Sequence, residues 1–198
     1  MKTLMLSIIV AIIIYSAVIA YKKKHLVKPL IRKATTPVIK VYRTFGFNRK
    51  FADYIRRTNG KQYIDEIHQS KPTLNHTHSI WKSLQASYVY KDEKIDVYGG
   101  TWKDKTFYGD CEDFAMEYIH FLTMATQTNN SNPRLVLGFY NRYDGTRFGH
   151  AWVEILIGDE LYIADNGVFS KKEYCSEYEA FEKHSLGELR AKVKEILA

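Results

Sequence analysis

A cysteine, a histidine and an aspartate are spaced along this chain so that they could together carry out acyl transfer. Cys111 follows Asp110 at the start of a segment with helical periodicity, His150 opens a predicted strand, and Asp165 ends the next one. A thiol of ordinary pKa, about 8.5, holds little thiolate at neutral pH. It gains reactivity from an imidazolium partner, or from the unpaired N–H groups and positive dipole end of a helix start. If strands 150–157 and 161–165 pair across a Gly158-Asp159 turn, residues 150 and 165 fall near the same end of the sheet. The carboxylate could then orient the imidazole, which is the nucleophile–base–orienter logic of a catalytic triad.

The residues around these three carry a family resemblance. Tyr108-Gly109-Asp110-Cys111-Glu112-Asp113-Phe114-Ala115 resembles the nucleophile motif of the transglutaminase-like superfamily, and is most similar to that of the bacterial transglutaminase-like cysteine proteases. Known members of that family include a periplasmic, calcium-dependent adhesin protease. Gly149-His150-Ala151-Trp152-Val153 resembles the family's histidine strand, and Ile163-Ala164-Asp165-Asn166 its Asp-Asn ending. The resemblance covers roughly residues 80–170, and the order and the spacings of 39 and then 15 residues agree with it.

The resemblance implies a papain-like α+β fold, a nucleophile helix packed on a small antiparallel sheet. It implies Cys111 as nucleophile, His150 as general base and then acid, and Asp165 as orienter. The tetrahedral oxyanion would be held by the Cys111 backbone N–H and a second donor, for which Trp102 or a neighbour upstream is the candidate, with no motif to fix it. In calcium-dependent members the acids flanking the cysteine bind the ion, which maps to Asp110 and Glu112. Hard oxygen ligands suit calcium, although two carboxylates fill only part of its shell. The plainer alternative is that Asp110 caps the helix while Glu112 and Asp113 complement its dipole. The activity expected is hydrolysis of a peptide bond in a protein or peptide substrate through a thioester. A transglutaminase or amidase would use the same acyl-enzyme, and a membrane-tethered binding module could keep the fold without turnover.

These residues need elements to hold them. Residues 51–68 look helical with an interruption at Asn59-Gly60, and a second helix is predicted over 75–88 after Pro72. Residues 91–109 read as irregular. From Asp110 the apolar positions Cys111, Phe114/Ala115, Tyr118 and Leu122/Ala125 recur with helical spacing and share one buried face. Residues 134–140, 150–157 and 161–164 read as strands joined by turns at Asp144-Gly145 and Gly158-Asp159. Ser176-x-x-Glu179 and Ser185-x-x-Glu188 both resemble capping boxes, so residues 176–197 are expected to form one or two short helices. Helices followed by an antiparallel meander make an α+β domain.

The chain has 198 residues, 29 Lys+Arg against 22 Asp+Glu and a formal net charge of +7. Residues 1–50 hold 11 bases and no acid, leaving 18 bases against all 22 acids in the remainder, a net of −4. The basic character therefore belongs to one segment, which argues against nucleic acid as a partner. Leu4 to Ala20 is 17 residues without a charge. With Thr3 and Tyr21 it would make about 28 Å of helix, enough to span a hydrocarbon core of roughly 30 Å. A cleavable signal peptide is the competing reading, disfavoured by the length of the apolar run and by Lys22-Lys23-Lys24 directly after it. The expected organisation is a transmembrane anchor over 1–21, a basic juxtamembrane stalk over 22–50 facing membrane lipid, and a cysteine hydrolase domain over 51–198. The positive-inside rule favours a cytoplasmic catalytic domain, whereas the family resemblance favours a periplasmic one.

Two cysteines make no disulfide framework, and no C-x-x-C pair suggests structural zinc. Cys175 reads as an uninvolved thiol, and His76 and His78 as surface histidines without a third metal ligand. Asn75-His76-Thr77 matches a glycosylation acceptor, a short pattern that chance alone also produces. The aromatic residues over 81–108 read as core and cleft wall, since no basic stripe accompanies them.

Overall fold

The computed structural model describes residues 47, 49–58, 71–92, 99–129 and 132–198. The expected anchor and most of the basic stretch lie outside the described residues. So does the predicted helical stretch beyond residue 58. Among the described residues no helix is long and apolar enough to cross a membrane.

The described chain begins in a helical segment over 49–58. Phe47, Phe51, Tyr54 and Ile55 recur at helical spacing, and all are buried. Helix α1, Leu74–Ser87, is capped by the Thr73 side chain, which accepts from the His76 N–H. Strand β1 follows at once as Tyr88–Tyr90. The stretch expected to be irregular contains two more short strands, β2 (Thr101–Lys103) and β3 (Thr106–Gly109). These pair as an antiparallel hairpin, with β1 joining β3 in parallel. The turn places Asp104 at φ 49° and Lys105 at φ 67°. Two consecutive positive φ angles are what a type I′ hairpin turn requires, and glycine or asparagine usually supplies them. Asp-Lys gives no such signal, so the hairpin is hidden in the sequence.

Helix α2, Cys111–Ala125, packs on a five-stranded antiparallel sheet of order β7-β6-β5-β4-β8. Its strands are β4 (Arg134–Asn141), β5 (Arg147–Ile157), β6 (Glu160–Ala164), β7 (Phe169–Lys171) and β8 (Tyr178–Ser185). Helix α3, Leu186–Leu197, closes the chain. The mixture of helices and antiparallel sheet is the α+β class expected from the pattern. The expected helix beginning at Ser176 is instead β8, and only the second predicted capping box forms. There the Ser185 side chain accepts from the Glu188 N–H, and the Glu188 side chain reaches back to the Ser185 N–H. Pairing with β4 overrides the local signal at Ser176, because an edge beside β4 offers ladder hydrogen bonds and a buried face to residues 178–185.

The sheet is apolar on both faces, which explains the near-continuous hydrophobic run of β5. Leu135, Leu137, Ala151, Val153, Ile155 and Ala164 belong to the main core with the α2 residues Phe114, Tyr118 and Leu122. Val136, Trp152, Ile163, Cys175 and Tyr178 form a second cluster. Gly138 is required by that second cluster. A Cβ there would sit 2.3 Å from the Trp152 ring and 2.4 Å from the Glu179 carbonyl oxygen. The register between β4 and β8 also shifts at this point, with Leu137 opposite Glu182 but Gly138 opposite Ala180, a bulge at Phe181.

Candidate active site

Cys111 is the first residue of α2, and its neighbours are occupied in holding that helix start. The Asp110 side chain accepts from the N–H groups of Glu112 and Asp113, and the Asp113 carboxylate accepts in return from the Asp110 N–H at 3.3 Å. The other Asp113 oxygen accepts from Gly99 N–H at 2.5 Å. Tyr88 donates to the carbonyls of Gly109 and Asp110 at 2.9 and 3.1 Å, and receives Asn166 Nδ2 at 3.3 Å. The turn before the cysteine is thereby tied to the loop that follows Asp165.

The thiol itself differs from expectation. Its hydrogen bond runs to Glu112 Oε2 at 2.9 Å. Burial, and then the Glu112 and Asp110 carboxylates, push the Cys111 thiol well above its ordinary pKa, against a lowering by a backbone hydrogen bond from Ala151. The helix start was expected to favour the thiolate. A macrodipole is worth about half a charge at the terminus, and a full carboxylate in hydrogen-bond contact outweighs it. Asp110 is affected by the same crowding: burial, Glu112 and Asp113 raise its carboxyl to about 8.

His150 and Asp165 meet as the paired strands predict. His150 Nε2 lies 3.0 Å from Asp165 Oδ2, although β5 begins three residues before His150 rather than at it. Val153 pairs with Ala164, which brings the residue after β6 level with the strand that carries the histidine. The carboxylate is heavily coordinated. Oδ1 accepts from the Gly167 and Val168 N–H groups, both at 2.6 Å, and Oδ2 accepts from the Tyr178 hydroxyl as well as from His150. The Trp81 indole N–H donates to the Asp165 carbonyl at 2.6 Å. Burial alone would raise the Asp165 pKa, but hydrogen bonds from His150, Tyr178 and the Gly167 N–H prevail and hold it below the usual carboxylate range. With Asp165 an anion, His150 Nε2 carries the shared proton, and Nδ1 is the ring nitrogen left to exchange a proton with a thiol.

Cys111, His150 and Asp165 line one cavity of about 500 Å³ together with Tyr90, Tyr140 and Phe148. Trp102 does not join them. Its indole N–H donates to Glu117 Oε1 at 2.9 Å, and it lines a separate groove beside α1 with Phe121 and Met124. It therefore stands away from the position of an oxyanion donor. Asp110 and Glu112 do come together with the thiol, their ligand atoms lying within 4.8 Å of one another. Cys175 is buried in the second cluster and its thiol meets the Lys171 carbonyl at 3.4 Å. His78 stacks on Trp81 with ring centroids 5.6 Å apart. Two residues of the site escape the sequence reading. Tyr178 falls in the segment assigned to helix, although the alternation of Tyr178 and Ala180 toward the second cluster was a signal for a strand. Glu112 was read as a metal ligand or dipole partner, whereas its adjacency to Cys111 also lets it hold the thiol proton.

No protein-family profile matches the chain, and no curated protein matches it. Similar solved structures include LapG of Legionella pneumophila, at 17% identity and a TM-score of 0.42, covering 75% of this chain and 97% of that one. A calcium-bound form of the same protein matches at 18% identity and a TM-score of 0.42, covering 64% and 82%. A candidate cysteine protease from Cytophaga hutchinsonii matches at 15% identity and a TM-score of 0.36, covering 68% and 48%.

Proposed function

We propose that this chain is a cysteine peptidase that cuts a peptide bond through Cys111, His150 and Asp165. The observation that carries the reading is the 3.0 Å contact of His150 Nε2 with Asp165 Oδ2 in the same cavity as the Cys111 thiol. In the first step His150 Nδ1 takes the thiol proton and Sγ attacks the carbonyl carbon of the scissile bond. The resulting oxyanion needs donors. Asp110 already uses the N–H groups of Glu112 and Asp113, which leaves the Cys111 N–H as one donor. Collapse breaks the C–N bond, and the imidazolium gives its proton to the leaving amine. A water, deprotonated by the same imidazole, then attacks the thioester carbon and releases the acid and the thiol. Tyr90 and Phe148, exposed aromatic residues lining the cavity, suit the flank of an extended peptide.

In the arrangement described above, the Glu112 carboxylate holds the thiol proton and opposes the first step. Asp110 and Glu112 fit a calcium ion in the chemistry of their oxygens and in the surplus negative charge that raises Asp110. The sulfur is too soft a ligand to belong to such a set. Calcium bound there would supply positive charge beside the thiol and so favour its ionised form.

The test is digestion of an unbiased peptide mixture in H₂¹⁸O by the full chain, read by mass spectrometry. New C-termini carrying ¹⁸O, lost in Cys111→Ala and His150→Ala, are expected. Incorporation of a tagged primary amine in place of ¹⁸O would make the enzyme a transferase, and an unchanged peptide pool would sink the peptidase reading.

A further inference from the structure

Tyr178 stands on β8, and two strands, β4 and β5, separate it from β6, at whose end Asp165 lies. Its hydroxyl nevertheless donates to Asp165 Oδ2, the oxygen that meets His150. Its ring is held from several sides. It packs edge-on to Trp152 at 5.2 Å and to Tyr140 at 5.1 Å, and lies 5.9 Å from the His150 ring. Trp152 is itself seated in the space left by Gly138 and stacks 6.0 Å from His150. The phenol is thus an arm fixed at its base by the second cluster and joined at its tip to the acid of the site.

We propose that Tyr178 is a positioning residue for this site, its hydroxyl fixing Asp165 Oδ2 and through it the plane and tautomer of the His150 imidazole. The consequence for turnover rests on the peptidase reading above; the link itself does not. The backbone N–H groups of Gly167 and Val168 fix only Oδ1. Without a second restraint the carboxylate could pivot about that edge and let His150 swing with it. Tyr178 removes this freedom and also draws electron density from Oδ2, which weakens the hold of Asp165 on an imidazolium proton. The raised pKa of the phenol, from burial and then from Asp165, keeps it a donor at working pH. The other titratable groups lining this cavity are Cys111 from α2, Tyr140 from β4, Arg142 from the turn after β4, and Tyr90 from β1. Just before β8, Cys175 also acts on the phenol and Glu177 on the neighbouring Tyr140.

The test is ¹⁵N NMR of the His150 ring in the full chain with Tyr178→Phe, which keeps the packed ring and removes only the hydroxyl. Loss of that donor should raise the protonation constant of His150 about threefold and mix its neutral tautomers. Tyr140→Phe, whose ring touches His150 without a bond to Asp165, should leave both unchanged. Fluorotyrosine placed at position 178 alone is a stronger donor and should shift the constant the opposite way. It decides the matter if Tyr178→Phe does not fold. A His150 titration and tautomer unmoved by the substitutions at 178 would overturn the proposal. Peptide cleavage with an unmoved His150 keeps the peptidase and removes the role of Tyr178. A moved His150 in a chain that cleaves nothing does the reverse.

Discussion

Burial, and after it the Glu112 carboxylate, keep Cys111 in its thiol form. A carboxylate accepting the thiol proton at 2.9 Å makes ionisation create two adjacent anions, which costs more than the helix start returns. Glu112→Gln should therefore raise the rate of Cys111 carboxamidomethylation by iodoacetamide at pH 7 by about tenfold, measured by peptide mapping with Cys175 as the internal reference. Calcium should accelerate the native chain in the same assay, EGTA should reverse the gain, and Glu112→Gln should respond to neither. Asp165 offers the matching test on the acid. Its folded pKa lies below the usual value near 3.9, so its contribution to stability is present above that value and lost as pH falls through the folded one. Asp165→Asn replaces one acceptor by an amide donor facing donors. It should cost about 1–3 kcal/mol at pH 7, lose about a hundredfold or more in turnover, and show a weaker fall in stability on acidification below pH 4. Calorimetry across pH 2–7 reads both stability effects. That Cys111, His150 and Asp165 would line one cavity was legible because helix start, strand end and turn each have a local signal. Glu112's grip on the thiol and Tyr178's hold on Asp165 were not, since rotamers and contacts across the sheet leave no mark in spacing.

At the scale of the elements, two places where local sequence and pairing diverge make contrasting predictions. Ser185 and Ser176 carry the same pattern, yet only Ser185 caps a helix. Ser185→Ala should cost about 1 kcal/mol, while Ser176→Ala, in a turn ahead of β8, should change the melting temperature little. The second place is Glu154, in the middle of β5 on the face of Trp152. Its side chain is fully buried and meets Lys172 Nζ at 2.5 Å and Lys183 Nζ at 2.6 Å. Burial alone would raise its pKa, but the two lysines prevail and lower it. Removing both lysines as Lys172→Met with Lys183→Met strands the carboxylate and should cost about 3–5 kcal/mol. Glu154→Gln should cost less, because the half-exposed lysines can turn to water. The penalty of the double variant should shrink as pH falls and Glu154 takes a proton, which denaturant titrations at pH 7 and pH 4 would measure. A single Glu in an otherwise apolar run was visible in the sequence, but its partners come from the 3₁₀ turn over Lys172–Tyr174 and from β8, the latter in a stretch read there as helix. The short β2–β3 hairpin was lost for a related reason, because Asp104-Lys105 adopts positive φ without the residues that announce it.

At the scale of the whole molecule, charge separates the chain into parts with different physics. Eleven bases and no acid over 1–50 precede a remainder of net −4. A body of that net sign gains nothing on balance from anionic headgroups, so electrostatic attraction to a membrane is expected from the first fifty residues. Two contributions can be told apart. Seventeen uncharged residues over 4–20 would hold a bilayer by burial, which salt and high pH do not weaken. The ten bases over 22–50 would act within a Debye length of about 10 Å at 0.1 M salt. The full chain expressed in cells should stay with the membrane pellet through 1 M salt and alkaline carbonate. A chain lacking residues 1–21 should bind vesicles containing 30% anionic lipid at low salt, release them by about 0.5 M salt, and ignore neutral vesicles. Removal of residues 1–50 should abolish both. Release of the full chain by carbonate would show that 4–20 does not span, and the same experiment in intact cells, with a membrane-impermeant thiol reagent against a cysteine placed at exposed Tyr174, reads the side. Labelling in intact cells means that the body is exported despite its flanking lysines, where millimolar calcium could neutralise Glu112; protection means that the site works in a calcium-poor cytoplasm, and that Cys111 must be released from Glu112 by another cation or by the substrate itself.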